Sequence, residues 1–209
     1  MTVTETKKVK GHLLKVVLDD RKDVLIDIET AALQGVRAGA CFSEDELTEI
    51  IEISDYTRAK SRALWYLDRC DHTEKGLYDK LIKAWFSPQA SAKALAKLTE
   101  LGLVDDDRFA KRYAARLFEA NTSKRQIYYK LCEKGIGREM AKETVEALPD
   151  DETAQIRNLI EKKYKHKMKD KESIQKVYAS LIRKGFSFAG VKSVLKEYEE
   201  ELLYAFEDM

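Results

Sequence analysis

The chain repeats itself with a period of fifty residues, and this repeat limits the possible folds more than any other feature of the sequence. Thr73, Ser123 and Ser173 lie fifty residues apart, and each precedes a run with an apolar face. A hydroxyl at such a position can accept a hydrogen bond from an unpaired N–H of the first helical turn. A period of this length is typical of stacked helical modules that bury their apolar faces against each other. The sequence therefore predicts tandem helical repeats.

Each repeat contains a helix whose apolar residues recur at spacings of one, three and four. We expect these residues, including the tyrosines, to form the core. In two copies the helix is followed by a glycine, which suits the left-handed conformation common at helix C-termini. The first copy has Trp85 at this position, so we expect its helix to end in a different backbone conformation. A second helix follows, starting at Ser87, Gly137 and Ser187. The core residues of the first helix are Leu77, Tyr78 and Leu81, then Ile127, Tyr128 and Leu131, then Val177, Tyr178 and Leu181.

A longer helical stretch precedes each pair, at residues 57–69, 107–120 and 152–169, so each repeat has three helices. The predicted fold class is mainly α: three tandem three-helix repeats form an elongated curved rod, preceded by a short N-terminal β-hairpin and a helix. The predicted boundaries are 1–56 for the N-terminal extension, 57–104, 105–150 and 151–209 for the three repeats.

The N-terminal extension begins with two β-rich runs, residues 12–18 and 24–28, separated by a turn at 19–22. The second run alternates apolar and polar residues, which is typical of a half-buried strand. Ser43 and Glu46 then match a capping box and predict a helix that supports the hairpin. Its apolar stripe contains Leu47, Ile50, Ile51 and Ile53.

Charge is unevenly distributed, although the net charge is only +1. Residues 1–56 carry 7 basic and 12 acidic side chains (7 − 12 = −5), residues 57–148 carry 19 and 13 (19 − 13 = +6), and residues 149–209 carry 12 of each. Such a separation favours a charged partner for part of the surface. The acidic tail after Lys196 either solubilises the end of the chain or folds back on the basic run at 157–171.

Basic side chains of the middle repeat are the main candidates for binding. Arg112 and Arg116 lie four residues apart and share a helix face. Tyr113, Tyr128 and Tyr129 are interspersed among the basic residues. This combination suits phosphates and bases and equally suits the acidic surface of a protein. The candidates are Lys111, Arg112, Arg116, Lys124, Arg125, Lys130, Lys134 and Arg138, with Lys162, Lys163, Lys165 and Lys167 as a second cluster.

No motif predicts catalysis or a cofactor. Phosphate-binding glycine loops and the local signatures of nucleophilic triads are absent. Asp105, Asp106 and Asp107 could hold a metal, but they precede a helix, where carboxylates favour capping. Three cysteines without CxxC spacing predict reduced, mostly buried thiols. Without a long apolar run or a signal-peptide pattern, the chain is expected to be a soluble cytoplasmic protein with no membrane contact, cofactor or metal.

Three stretches carry a family resemblance. Residues 98–110 follow the pattern L-x-x-x-G-h-h-D-D-x-x-F-A, in which h is apolar, and residues 123–136 follow S-x-x-x-I-x-x-x-L-x-x-K-G-I. Ala63 and Leu64, followed by Leu67 and Arg69, resemble the pattern A-L-x-x-L-x-x-R. These patterns resemble the RecX regulatory proteins over residues 59–200. The chain departs from them at Asn121, where glycine is common, and at the Trp85-Phe86 pair.

The resemblance implies a monomeric, non-enzymatic modulator of the RecA recombinase. Such a protein docks in the groove of the RecA–DNA filament and restrains ATP hydrolysis, strand exchange and co-protease activity in DNA repair and the SOS response. On these grounds the basic candidates are assigned to a protein partner, with single- or double-stranded DNA inside the filament as a further contact. A helical module that binds DNA directly, without RecA, is the alternative, and a helical scaffold with an unrelated partner is a third interpretation.

Overall fold

The computed structural model describes residues 1–9, 11–19, 22–168 and 170–207, with side chains up to residue 200. It divides into two compact units, Met1–Asp105 and the residues from Asp106 onward. Part of the turn predicted at 19–22, part of the basic run at 157–171 and the side chains at the end of the acidic tail lie outside the described residues.

The first unit begins with a three-stranded antiparallel sheet in the order β1 (Val3–Lys8), β2 (Leu13–Leu18) and β3 (Asp23–Asp27). The predicted hairpin corresponds to β2 and β3, in which Val16 pairs with Val24. Strand β1 was not predicted, because its sequence is largely polar and its only buried side chain is Val3. It lies at the edge of the sheet, where one strand face and one backbone edge can stay in water.

Helix α1 (Ile28–Leu33) also has no counterpart in the sequence prediction, because six residues are too few for a clear period. Its N-cap is Asp27, whose Oδ2 accepts hydrogen bonds from the backbone N–H and the hydroxyl of Thr30.

Helix α2 (Glu44–Leu67) runs unbroken through the two stretches that the sequence predicted as separate helices. The predicted capping box of Ser43 and Glu46 is present. No glycine or proline interrupts the 24 residues, so the helix continues from the sheet into the first repeat. Leu47 and Ile50 pack in the core beneath the sheet, whereas the second half of the helix packs in the core of the repeat. Ser54, buried between them, accepts a hydrogen bond from the Asp27 backbone N–H at 2.7 Å.

The first repeat is completed by α3 (Glu74–Lys83) and α4 (Pro88–Glu100). Thr73 and Ser87 are their N-caps, as predicted. Of the predicted core residues of α3, Leu77 and Leu81 are fully buried, whereas Tyr78 is partly buried against them. Leu95 and Leu98 of α4 and the small residues Ala59 and Ala63 of α2 complete this core.

The turn after α3 differs from the sequence prediction. Trp85 has φ +66°, close to the values of +94° at Gly135 and +85° at Gly185. The first repeat therefore ends this helix in the same left-handed conformation, and the prediction of a different stop is wrong. The Trp85 side chain is 95% exposed, so no packing offsets the strain of a bulky residue at positive φ.

The second unit contains two further three-helix sets. The first is α5 (Asp106–Glu119), α6 (Lys124–Glu133) and α7 (Arg138–Glu146); the second is α8 (Glu152–Lys163), α9 (Lys171–Arg183) and α10 (Phe188–Glu207). Each set has its own core, built around Ile127 and Leu131 in one and Val177 and Leu181 in the other. These sets are called the second and third repeats below.

The predicted cap of α6 holds in the second repeat, and in the third repeat Ser187 caps α10 as predicted by accepting a hydrogen bond from the Gly190 N–H. The predicted cap of α9 does not hold. Ser123 caps α6 by accepting a hydrogen bond from the Gln126 N–H. Helix α9 begins three residues earlier than predicted, with Asp170 as N-cap and Ser173 as its partner in a capping box. Aspartate caps a helix about as well as serine, so Asp170 can start the helix one turn earlier, and its carboxylate accepts a hydrogen bond from the Ser173 N–H at 2.8 Å.

The cysteines are less buried than predicted. Cys41 and Cys70 are exposed and Cys132 is half-buried. Cys70 lies in the turn between α2 and α3, with its Sγ 3.4 Å from Nε2 of His72.

We expect Ser91→Ala to stabilise the protein by about 1 kcal/mol, because a buried unpaired hydroxyl loses its hydrogen bond to water without replacement. Ser91 in α4 is fully buried, and its Oγ has no partner among the described residues. The equivalent repeat positions hold Ala141 and Val191, which are also fully buried. Thermal unfolding followed by circular dichroism should show a Tm about 2–4 °C higher.

The matched control is Ser54→Ala. Ser54 is equally buried but accepts the hydrogen bond from Asp27, so its loss should lower the Tm. If Ser91→Ala lowers the Tm as much as Ser54→Ala, the Ser91 hydroxyl has a partner in solution.

Candidate interaction groove

The second and third repeats are joined by the cap of α6. The Ser123 hydroxyl accepts from the Gln126 N–H at 3.3 Å and donates to the backbone carbonyl of Lys184 at the end of α9. Gly185 makes this approach possible, because a Cβ on it would lie 2.9 Å from the Ser123 Oγ. One hydroxyl thus caps a helix in the second repeat and satisfies a helix terminus in the third.

A buried amide makes a second connection between these repeats. Gln155 in α8 is 4% exposed, and its Nε2 donates to the carbonyls of Phe118 and Thr122 at 3.1 and 3.4 Å. These carbonyls lie at the end of α5 and in the turn after it, where backbone acceptors lack helical partners. Lys124 also forms an ion pair at 3.7 Å with Asp150, which lies between α7 and α8.

A groove with a volume of about 450 Å³ lies between α6 and the end of α9. We call it the repeat 2–3 groove. Arg125 and Lys130 line it from α6, and Arg183 and Lys184 line it from the end of α9, against a single carboxylate, Glu133. Tyr129 also lines it and is 53% exposed. The groove therefore offers several cationic donors and one exposed aromatic ring.

Tyr113 organises a second cationic cluster on α5 and α6. The Arg116 guanidinium carbon lies 5.2 Å from the centre of the Tyr113 ring, and the Lys134 Nζ lies 6.0 Å from it. Phe109 stacks on the same ring with a centroid distance of 5.5 Å. Cation–π contacts of this kind hold the charged groups in place without neutralising them.

The other candidates of the second repeat are exposed on separate elements. Lys111 donates to Asp107 at 2.6 Å within α5. Asp106 and Asp107 occupy the first turn of this helix, and Asp105 directly precedes it. Arg112 is exposed on the same helix, and Arg138 is exposed at the start of α7.

The second predicted cluster lies elsewhere. Lys162 and Lys163 are exposed at the end of α8, and Lys165 and Lys167 belong to a short 3₁₀ turn after it. None of them lines the repeat 2–3 groove. Lys165 donates to the Glu161 carboxylate at 3.0 Å.

The start of the acidic tail folds back on the basic run, which was one of the two predicted alternatives. Arg157 makes two hydrogen bonds to the Glu197 carboxylate, at 2.8 and 3.1 Å. Hydrogen bonding from Arg157 lowers the pKa of the Glu197 carboxyl group below its usual value. The pKa of Glu161 is also lowered, first by the hydrogen bond from Lys165 and then by that from Tyr198.

Sequence reasoning missed Arg183 and Lys184. The repeat contained the signal, since Lys184-Gly185 lies fifty residues after Lys134-Gly135. The fold brings these two residues to Arg125 and Lys130, more than fifty residues away in sequence.

The described residues contain no group of three or more His, Cys, Asp or Glu side chains placed to hold a metal ion. Within the same part of the chain, no helix is long and apolar enough to cross a membrane. The groups that line the groove are hydrogen-bond donors that suit carboxylates or phosphates.

Comparison with known proteins gives consistent matches. Residues 59–98 match the family model described as the first three-helix domain of RecX, and residues 150–195 match its third three-helix domain. Regulatory protein RecX of Clostridium tetani is 28% identical over 210 residues, which cover 98% of this chain and 95% of the relative. Regulatory protein RecX of Caldanaerobacter subterraneus subsp. tengcongensis is 29% identical over 191 residues, which cover 90% of this chain and 95% of the relative.

Solved structures share the fold. A crystal structure of regulatory protein RecX has a TM-score of 0.66 at 21% identity and covers 92% of this chain and 98% of its own. The crystal structure of RecX from Lactobacillus salivarius has a TM-score of 0.61 at 24% identity and covers 69% of this chain and 97% of its own.

Proposed function

Because this chain belongs to the RecX family of regulatory proteins, we propose that it binds the RecA–DNA filament and restrains its ATPase, strand-exchange and co-protease activities. It acts in the cytoplasm, in DNA repair and the SOS response, without catalysing a reaction itself. The observation that supports this proposal best is the repeat 2–3 groove, where four cations from two repeats surround an exposed tyrosine.

The groove suits a partner that presents negative charge at close spacing. A nucleoprotein filament offers carboxylates of its protein and phosphates of its DNA, and arginine binds both through two parallel hydrogen bonds. Arginine and tyrosine are also the residue types that contribute most to protein interfaces. We assign the main contact to the protein of the filament, with DNA phosphates as additional acceptors.

Restraint of ATP hydrolysis follows from binding one filament state better than another. Subunits of a filament that hydrolyses ATP change their relative positions, and a ligand shifts such an equilibrium only by its difference in affinity for the two states. Contacts from the groove and from the Tyr113 cluster combine through their high effective concentration. A protein bound in this way also excludes other molecules from the same surface.

Direct binding to DNA is the second candidate function. The exposed Tyr129 ring beside Arg125 and Lys130 resembles the combination of stacking and phosphate contacts that single-strand binders use. This function predicts a steep dependence on salt, because each neutralised phosphate releases a counterion.

A titration of ATP hydrolysis separates the two functions. RecA is first assembled on single-stranded DNA, and the purified chain is then added at increasing concentrations. We expect ATP hydrolysis to fall when this chain is far scarcer than DNA-binding sites. Direct competition for DNA is the function if the rate of ATP hydrolysis falls only when enough of the chain is present to cover the DNA. In that case, excess single-stranded DNA should restore the rate.

A further inference from the structure

A further groove adjoins the repeat 2–3 groove. It has a volume of about 510 Å³ and is lined by the start of α6, by α8 and by the turn from α9 to α10. We call it the Phe188 groove, because the Phe188 side chain lines it and is 67% exposed. Arg125, Ile182 and Gly185 line both grooves. The two grooves are therefore neighbours that share a wall.

Arg125 belongs to this shared wall. A Cβ on Gly185 would lie 3.3 Å from the Cβ and 3.5 Å from the Cδ of Arg125, so the aliphatic part of this side chain lies against the glycine. Lys130 and Arg183 line one of the grooves that Arg125 lines, and Phe188 lines the other. A ligand bound to Arg125 therefore has further cations on one side and an exposed aromatic ring on the other.

The polar side chains of the Phe188 groove already have partners within the chain. Glu152 accepts hydrogen bonds from the Ser187 backbone N–H at 2.8 Å and from the Ser187 hydroxyl. Lys124 pairs with Asp150, and the Gln155 amide donates to two backbone carbonyls of the second repeat. Two cations and two carboxylates line this groove, whereas four cations and one carboxylate line the repeat 2–3 groove. The Phe188 groove therefore offers a ligand mainly apolar surface.

The fold does not require an aromatic ring at residue 188. The corresponding positions of the other repeats hold Pro88 and Arg138, which are also exposed at the first position of their helices. Phenylalanine is enriched in protein interfaces, and residues that dominate binding energy cluster in pockets that exclude water. An exposed ring beside a groove is therefore suited to an apolar side chain of a partner.

A nucleic acid strand fits this pair of grooves less well than a peptide does. A strand carries a phosphate at every nucleotide. A strand that continued past Gly185 would bring phosphates toward Asp150 and Glu152, and like charges brought together at an interface cost several kcal/mol. A peptide can instead place carboxylates in the cationic groove and an apolar side chain in the neutral one.

We propose that the two grooves bind a single peptide segment of the protein partner. Acidic side chains of the segment pair with Arg125, Lys130 and Arg183, and a large apolar side chain close to them covers Phe188 and Ile182. This inference rests on the proposed function for its choice of a protein as the main contact, and it adds the chemistry that the partner presents. A cationic groove alone attracts any polyanion, whereas the Phe188 groove selects among them.

Two synthetic peptides test this recognition without RecA. Both have four glutamates in the centre, and two glycines on each side separate the glutamates from a terminal residue that is phenylalanine in one peptide and serine in the other. Fluorescence anisotropy of the labelled peptides is measured during titration with the full-length chain. We expect the phenylalanine peptide to bind at least tenfold more tightly. The ratio of the two affinities should be equal at about 0.1 M and about 0.5 M salt, because salt screens ionic contacts but leaves apolar burial.

Phe188→Arg separates apolar recognition from charge, because it removes the ring and adds a cation. Arginine already occupies the corresponding position of the second repeat, so we expect the variant to fold, which circular dichroism checks. The preference for the phenylalanine peptide should fall below about twofold. The matched control, Ala189→Arg, adds the same charge at an exposed neighbour that does not line the groove, and it should keep the tenfold preference.

The same variant distinguishes a peptide from a nucleic acid on the filament. Phe188→Arg should weaken binding to the RecA–DNA filament about tenfold, although its net charge is more positive, whereas its affinity for free single-stranded DNA should not fall. Stronger binding of Phe188→Arg to the filament would assign the groove to phosphates and overturn the proposal. Equal binding of the two peptides to the original chain, or binding of neither, would also overturn it. A chain that prefers the phenylalanine peptide but does not bind the filament would contradict the proposed function and support this inference.

Discussion

Reversing the charges of Arg125, Lys130 and Arg183 together should weaken binding to the RecA–DNA filament about 100-fold. All three side chains line the repeat 2–3 groove, so the change replaces cationic donors with carboxylates on both of its walls. Like charges brought together at an interface cost several kcal/mol, and about 3 kcal/mol corresponds to this loss of affinity. Fluorescence anisotropy of the labelled variant, titrated with preassembled filament, measures the change directly.

The control carries the same change of charge elsewhere in the second unit. Lys176, Lys192 and Lys196 are exposed on α9 and α10 and do not line the groove. Reversing these three also changes the net charge by −6, since each reversal contributes −2. If the control weakens binding as much as the groove variant does, overall charge governs the interaction and the groove is not the contact.

Gly185→Ala should destabilise the second unit by about 3 kcal/mol. The backbone at Gly185 has φ +85°, which costs an L-residue about 1–2 kcal/mol. The added Cβ would also lie 2.9 Å from the Ser123 Oγ, and crowding in a packed site costs about 1–3 kcal/mol. The Ser123 hydroxyl cannot move aside without losing its bonds to the Gln126 N–H and the Lys184 carbonyl. Urea unfolding followed by far-ultraviolet circular dichroism measures the loss.

Gly35→Ala isolates the backbone contribution. Gly35 has φ +68°, and a Cβ there would meet no atom within 4 Å, so only the strain of about 1–2 kcal/mol applies. If Gly185→Ala and Gly35→Ala lower the free energy of unfolding equally, the contact between Ser123 and the end of α9 adjusts to the added methyl group without further cost. Because both tryptophans lie in the first unit, tryptophan emission should report the Gly35→Ala change, whereas circular dichroism reports both.

Local signals predicted most of the fold. A hydroxyl before an amphipathic run predicted the caps at Thr73 and Ser123, and the capping box at Ser43 predicted the start of α2. These features depend on residues within one helical turn, so short stretches of sequence contain the information. Helix α9 of the third repeat shows the limit of this reasoning. Asp170 and Ser173 lie three residues apart and both are suitable N-caps, and the helix begins after Asp170 rather than after Ser173.

The edge strand and the groove needed more than local information. Strand β1 forms because β2 offers it a backbone edge, although only Val3 is buried. Arg183 and Lys184 acquire a place in the candidate site because α9 ends beside α6, which the Ser123 hydroxyl fixes by binding the Lys184 carbonyl.

The sequence by itself determined the helical repeats, their apolar faces and most of their caps, because these follow from periodicity and from hydrogen bonds between neighbouring residues. Only the tertiary structure decided which charged side chains share a groove and which exposed tryptophan bears strain. The groove depends on contacts between residues that are distant in sequence. The strain depends on a left-handed backbone conformation, which the sequence suggested for Gly135 and Gly185 but which Trp85 also adopts.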